Sequence, residues 1–392
     1  MDAQWSAAHA GAVRVRDVGW PVAVAAFVSL LAAGVGALWS ARPSSFPFGS
    51  ADRVKVSVTH LIEHRASGAM LLAAAVVGLL VAAVVARAGS RVAAVRVAGM
   101  VAVAEAVFFA LVMSDVSLMT SLGYGIALVG PVVVVAAVVI ASVRGHRGGY
   151  VAAAATGAAA VVGVMTGVVE PGTLPRYAGN VIRAFASYNV RIGWGLGMAA
   201  VAAGWGWVAY RLLRHAAALG GGDPARPAWT EPESVRRWGR VATIGAALCP
   251  LPYALLRMTW LTPWPVDLDP RFDESAVRVH GASLGLAAVV GTVLTLGLIR
   301  RWGEVVPRWA PWLGGRRVPP MVAVVPGGLV ATAACMASPG FVLSSVESDG
   351  NGSGLGGVLL GLLLFPFPVW GPLLGAAVVA YWLRRRDSDI RT

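Results

Sequence analysis

Long apolar runs alternate with short polar segments along the whole chain. Ten runs stand out, at residues 22–39, 69–86, 98–113, 126–143, 151–169, 194–212, 241–261, 282–299, 321–336 and 355–383. The stretch from Met70 to Ala86 contains no charged residue at all. About 20 apolar residues cover a hydrocarbon layer of roughly 30 Å in helical form. The pattern therefore predicts an all-α integral membrane protein with about ten transmembrane helices, called spans one to ten below. The tenth run holds Pro366, Pro368 and Pro372, so it is expected to be kinked, broken or strongly tilted. Span one follows arginines, as a signal peptide would. However, Ala41-Arg42-Pro43 makes a poor cleavage site, and the run is expected to be retained.

Composition agrees with that reading. Hydrophobic residues make up 57% of the 392 and charged residues 13%, where a soluble domain carries roughly a quarter. The net charge of +13 rests on 31 arginines against one lysine, Lys55. These arginines sit in small groups between apolar runs, which argues for membrane topology and against nucleic-acid binding. With the N-terminus inside, the six cytoplasmic segments hold 22 arginines, including Arg384-Arg385-Arg386, and the five external ones hold nine Lys plus Arg. Both termini are thus expected in the cytoplasm. The Arg, Ala, Val and Gly bias suggests a GC-rich bacterial genome, and hence a bacterial plasma membrane. Two cysteines, Cys249 and Cys335, exclude a disulfide framework or a cysteine metal site.

Polar stretches divide the chain. Residues 41–68, 171–193 and 262–281 are expected as external loops, and 215–240 as a flexible cytoplasmic linker around Gly220-Gly221-Gly222-Asp223-Pro224. That linker separates a bundle of six helices (1–214) from one of four (241–392). A weak internal repeat is suggested by His64-Arg65-Ala66-Ser67 against His280-Gly281-Ala282-Ser283, each followed by an Ala-Ala-Val-Val-Gly run. Trp20, Trp39, Trp194, Trp260, Trp302 and Trp382 fall near span ends, as an interfacial aromatic belt requires.

Ionisable groups inside spans are the leading functional candidates, because an isolated charge there costs at least roughly 3 kcal/mol. Glu105 sits near the middle of span three and Arg257 in the outer third of span seven, about 10 Å apart in depth. Glu105 could take a proton or cation. Arg257 could pair with it, bind an anionic substrate, or reach for outer headgroups. Prolines form a second signal: Pro250 and Pro252 in span seven, Pro366 and Pro368 in span ten, with Pro131 and Pro326 as further cases. Each frees a carbonyl that must find protein or water at membrane depth, and broken helices often line substrate sites. Third, His60-Leu61-Ile62-Glu63-His64 matches the inverted zinc-protease pattern. That pattern needs both histidines on one helix face and a third ligand, and none is identifiable. The loop residues Tyr177, Asn180, Arg183, Tyr188, Asn189 and Arg191, and Asp267, Asp269, Arg271, Asp273 and Glu274, would form a mouth or simply a solvated surface.

Two stretches, Leu251-Pro252-Tyr253-Ala254-Leu255-Leu256-Arg257 through Trp260 and Arg301 to Pro320, resemble uncharacterised actinobacterial multi-pass membrane proteins. That resemblance covers chiefly the last 150 residues and implies topology and lineage, with no activity to carry over. Three function classes follow: a permease-like protein for a small molecule or ion, a non-catalytic accessory or immunity-type membrane partner, and a membrane-embedded enzyme. No cofactor is expected, and protein partners are not specified by the sequence.

Overall fold

The computed structural model describes residues 16–46, 48, 57–62, 64–88, 91–145, 147–220, 228–306, 314–348 and 354–389. Twelve helices carry the fold: α1 (Arg16–Ala41), α2 (His64–Ala88), α3 (Val92–Leu111), α4 (Ser117–Val143), α5 (Arg147–Met165), α6 (Thr173–Leu219), α7 (Pro232–Leu248), α8 (Leu251–Met258), α9 (Ser275–Gly297), α10 (Pro320–Ser348), α11 (Gly354–Leu364) and α12 (Phe367–Asp389). Among the described residues, ten helical stretches are long and apolar enough to cross a membrane. Span seven is α7 with α8, and span ten is α11 with α12. The chain is therefore an all-α, multi-pass membrane protein, with its lipid-facing helices in contact with the bilayer.

Two compact units divide the helices. Unit one comprises residues 1–116, 193–231 and 339–344, and unit two the remainder. Span four thus belongs to unit two while spans one to three belong to unit one, a grouping that differs from a cut at residues 215–240. Helical order enters that stretch from both sides, reaching Leu219 and resuming at Pro232, while residues 221–227 lie outside the described ones. Pro232 opens α7 where no backbone donor is needed, and Glu233 pairs with Arg237 one turn on.

Unit one is held by close backbone contact. A Cβ on Gly36 would lie 2.7 Å from the Leu72 nitrogen, and one on Gly68 2.8 Å from the Ser40 nitrogen. Glycine at both crossings lets α1 and α2 approach as small residues allow in membranes. In unit two, α7 buries the stripe Val235, Gly239, Ala242, Thr243, Ala246 and Ala247. It packs on α12 through Leu374, Ala377, Val378 and Tyr381.

One expectation is corrected here and two are refined. Residues 173–193 are not a loop: α6 runs unbroken for 47 residues, about 70 Å at helical rise. Pro175 lies in its first turn, where proline is tolerated. Arg191, placed outside by its charge, is buried on that helix. The tryptophan belt is likewise only partial. Trp39 and Trp260 are both 6% exposed, because they pack inward on other aromatic rings or on the backbone. Finally, Pro131 and Pro326 sit within continuous helices, whereas the predicted interruptions at Pro250 and Pro366 are real.

Candidate functional site

Both proline breaks belong to unit two, and they meet. At the first, α7 ends at Leu248 and α8 starts at Leu251, with Pro250 as its cap residue and Pro252 in its first turn. At the second, α11 ends at Leu364 and α12 begins at Phe367, with Pro368 as its second residue. The Phe365 ring, in the gap between α11 and α12, lies 5.2 Å from the Tyr253 ring of α8, and Phe365 and Phe367 continue the stack at 6.0 Å. The backbone freed at the first break finds a partner from a neighbouring helix. Thr292 on α9 donates its hydroxyl to the Ala247 carbonyl at 3.0 Å, as membrane depth demands. Replacing Thr292 with valine strands that carbonyl and should cost about 1 kcal/mol. Thr295 bonds only its own helix, to the Gly291 carbonyl. Denaturation in detergent should therefore separate Thr292→Val from a near-neutral Thr295→Val.

Arg257 sits directly on this break. Tyr253 precedes it by four residues and Trp260 follows by three, so all three share a helix face. Its guanidinium carbon lies 4.0 Å from the Trp260 ring centroid and 5.1 Å from that of Tyr253. Two rings thus hold the cation by their π-faces. Its Nε is buried without a hydrogen-bond partner, and no carboxylate among the described residues pairs with it. Trp260 is seated by Gly281 of α9, where a Cβ would strike the indole, and its Nε1 donates to the Val266 carbonyl at 2.8 Å. Gly285, one turn on, makes room for Arg257 itself: a Cβ there would lie 2.9 Å from the arginine Cβ.

His280 completes this region, with Arg257 as its charged neighbour. Its ring meets Tyr124 of α4 edge-on at 4.8 Å and Tyr177 of α6 at 5.7 Å. Tyr177 in turn donates to the Ala127 carbonyl at 2.7 Å. Burial pushes its phenol above the ordinary range, opposed by a hydrogen bond with Ser283. The result is an arginine and a histidine lined by tyrosines and a tryptophan.

Above it, the segment from Thr262 to Glu274 is closed by its own charges. Asp269 holds Arg271, with Asp269 Oδ2 2.6 Å from the guanidinium, and also accepts from the Arg271 backbone nitrogen at 2.9 Å. Asp273 pairs with Arg278, which also donates to the Thr262 carbonyl at 3.1 Å. These charges form a local clasp. The arginine forks hold both carboxyls below their ordinary value of 3.8. Carboxyls depressed by folding stabilise above the unfolded value, and that stabilisation is lost as pH falls through the lower folded values. Protection against hydrogen exchange in this segment, relative to the intrinsic rate at each pH, should therefore stay constant from neutral pH to about 4 and fall only below it.

Glu105 belongs to unit one, apart from the other candidates. It lies on the buried stripe of α3 with Val95, Ala98, Gly99, Ala102 and Phe109. A Cβ on Gly99 would meet Leu213, and Trp194 donates to the Met113 carbonyl at 2.6 Å, so α3 and the end of α6 run antiparallel. That register puts Glu105 level with Trp205. Glu105 Oε2, Trp205 Nε1 and Ser29 Oγ are all buried without a hydrogen-bond partner, and Ser29 and Trp205 both close on Gly78. Three unsatisfied polar groups from three helices thus lie in one region of unit one.

The zinc-type pattern has a different local geometry. His60 lies in a one-turn helix, Val58–Leu61, the chain is extended at Ile62, and α2 begins at His64. Glu63 and the His64 side chain lie outside the described residues. No group of three metal-ligating side chains occurs among the described residues.

Sequence spacing alone held the signal for Tyr253 and Trp260 beside Arg257, but His280, Tyr124 and Tyr177 come from three other chain segments that only folding assembles. No family model, curated protein or solved structure matches the chain.

Proposed function

We propose that this membrane protein is permease-like and takes a small anionic or zwitterionic molecule at Arg257. The observation that carries this reading is a cation within a span, fixed by two aromatic rings, with an unpartnered nitrogen and no carboxylate against it among the described residues. A membrane arginine without a counter-charge is costly, and a ligand carboxylate or phosphate would supply the missing partner by paired hydrogen bonds. The adjacent helix breaks at Pro250, Pro252, Pro366 and Pro368 fit the discontinuous spans found around substrate sites. Glu105, in the other unit, is the candidate for a coupling proton or cation.

The test uses cysteine accessibility in a Cys249→Ala/Cys335→Ala background. A cysteine at Arg257 should react with a charged, membrane-impermeant thiol reagent, and a cysteine at Trp264, 80% exposed, serves as the positive control. A panel of small carboxylates and phosphates should raise the thermal midpoint of the native protein, and Arg257→Gln should abolish that shift. If the Arg257 position stays silent while the control labels, and no anion shifts the midpoint, the permease reading fails. The non-catalytic membrane partner then takes the lead.

A further inference from the structure

At the far end of unit two from the Arg257 platform, α7 begins while α9 and α12 finish. There Arg236 and Arg240 of α7, Ile299 after α9 and Arg384 of α12 line a cavity of about 280 Å³. That volume falls near the low end of small-ligand pockets. Three of its four lining residues are arginines. Arg236 is the like-charged neighbour of Arg384, and Glu304 is the carboxylate in reach of Arg384, at longer range than a direct ion pair. Arg384 spends one donor on the Leu298 carbonyl, leaving the rest of its five-donor fork. Arg236 and Arg240 make no ion pair or hydrogen bond to any described residue. The neighbouring Arg237, by contrast, is paired with Glu233.

Convergent arginines repel one another unless an anion lies between them, and planar guanidinium forks match phosphate. The same helix row supplies a second feature. Continuing from Arg236 and Arg240 at intervals of four, the next positions are Ile244 and Leu248, 43% and 57% exposed. Positions four apart lie on one helix face, so a basic end passes directly into an apolar, lipid-facing strip. A free phosphate has no use for that strip, whereas an acyl chain does. The end in question is also the one that arginine distribution assigns to the cytoplasm, where anionic lipids attract basic clusters.

We infer that this cavity is a phosphate-binding site occupied by the headgroup of an anionic phospholipid, whose acyl chain lies along Ile244 and Leu248. Arg236 and Arg240 clasp the phosphate from one side and Arg384 from the other.

The full-length protein, purified in mild detergent, is titrated separately with phosphatidylglycerol, phosphatidylcholine and inorganic phosphate. Native mass spectrometry counts bound lipid, and the thermal midpoint reports stabilisation. Phosphatidylglycerol should bind and raise the midpoint. The double variant Arg236→Gln/Arg240→Gln should weaken binding roughly 30-fold while keeping the native midpoint in phosphatidylcholine, since both side chains are exposed. Arg237→Gln, which removes one neighbouring positive charge outside the cavity, should bind like the native protein. Equal loss in Arg237→Gln would reduce the effect to net charge and overturn the site. Undiminished binding by the double variant would overturn it too. Binding of inorganic phosphate without retention of any lipid would overturn the lipid assignment.

Discussion

Gly281→Ala should destabilise unit two by about 3 kcal/mol and detach the clamp on Arg257. An added methyl at that position would overlap the Trp260 ring, only 2.9 Å from Cδ2, and the ring carbon nearest to it is closer still. The indole has little freedom to yield, since its Nε1 is tied to the Val266 carbonyl and its ring carries the Arg257 guanidinium. Overpacking a tight helix crossing costs 1 to 3 kcal/mol, with about as much again for a buried donor left without its carbonyl. Tryptophan fluorescence should report the displaced indole, and denaturation in detergent should give the loss. Pairing Gly281→Ala with Trp260→Leu, which vacates the space, should recover part of it, because residues in contact couple. Strict additivity of the two losses would mean that the ring and the glycine do not meet as described.

The second large effect is a contrast at Glu105. Substituting glutamine should leave the folded yield and thermal midpoint equal to the native protein or higher, whereas lysine should collapse both. The carboxyl is 5% exposed and one oxygen has no partner. A carboxylate is costly there by roughly 3 kcal/mol when charged, and glutamine removes that charge at nearly constant shape. Lysine keeps a charge, and the buried stripe of α3 leaves its long stem no path to water. If Glu105 is the coupling group, Glu105→Gln should also abolish any proton or cation dependence of transport while the protein remains folded. A strongly destabilised Glu105→Gln would point instead to an indispensable hydrogen bond made by that carboxyl.

Most of the architecture was legible from hydropathy. Spans read at residues 22–39 and 69–86 correspond to helical stretches Val22–Ala41 and Arg65–Arg87, and the remaining eight agree as well. This works because lipid admits almost only helices of a set length. The break in span ten was legible for a related reason: a proline at Pro366 cannot continue the ladder. Residues 171–193 misled because their charges and proline resemble a loop. A polar sequence can nevertheless stay helical where one face packs, as Tyr177 and Val181 do. The tryptophans misled similarly, since position near a span end says nothing about which way a ring turns. Trp39 turns onto Phe46 and Trp194, at 4.8 and 5.1 Å.

The candidate residues show the same division. Glu105, Arg257 and the four prolines were visible singly, because a charge or a proline in a span is conspicuous against an apolar background. Their grouping was not. Pro250, Pro252, Pro366, Pro368 and Arg257 share unit two around Tyr253 and Phe365, while Glu105 lies in unit one with Trp205 and Ser29. By itself, then, the sequence determined how many times the chain crosses lipid, where two spans break, and which side chains are expensive to keep there. Each follows from a local cost paid residue by residue. Only the tertiary structure decided which of those side chains meet and which remain unpaired. Those outcomes depend on helix rotation and close approach at glycines such as Gly281 and Gly36, set by packing between segments far apart in the chain.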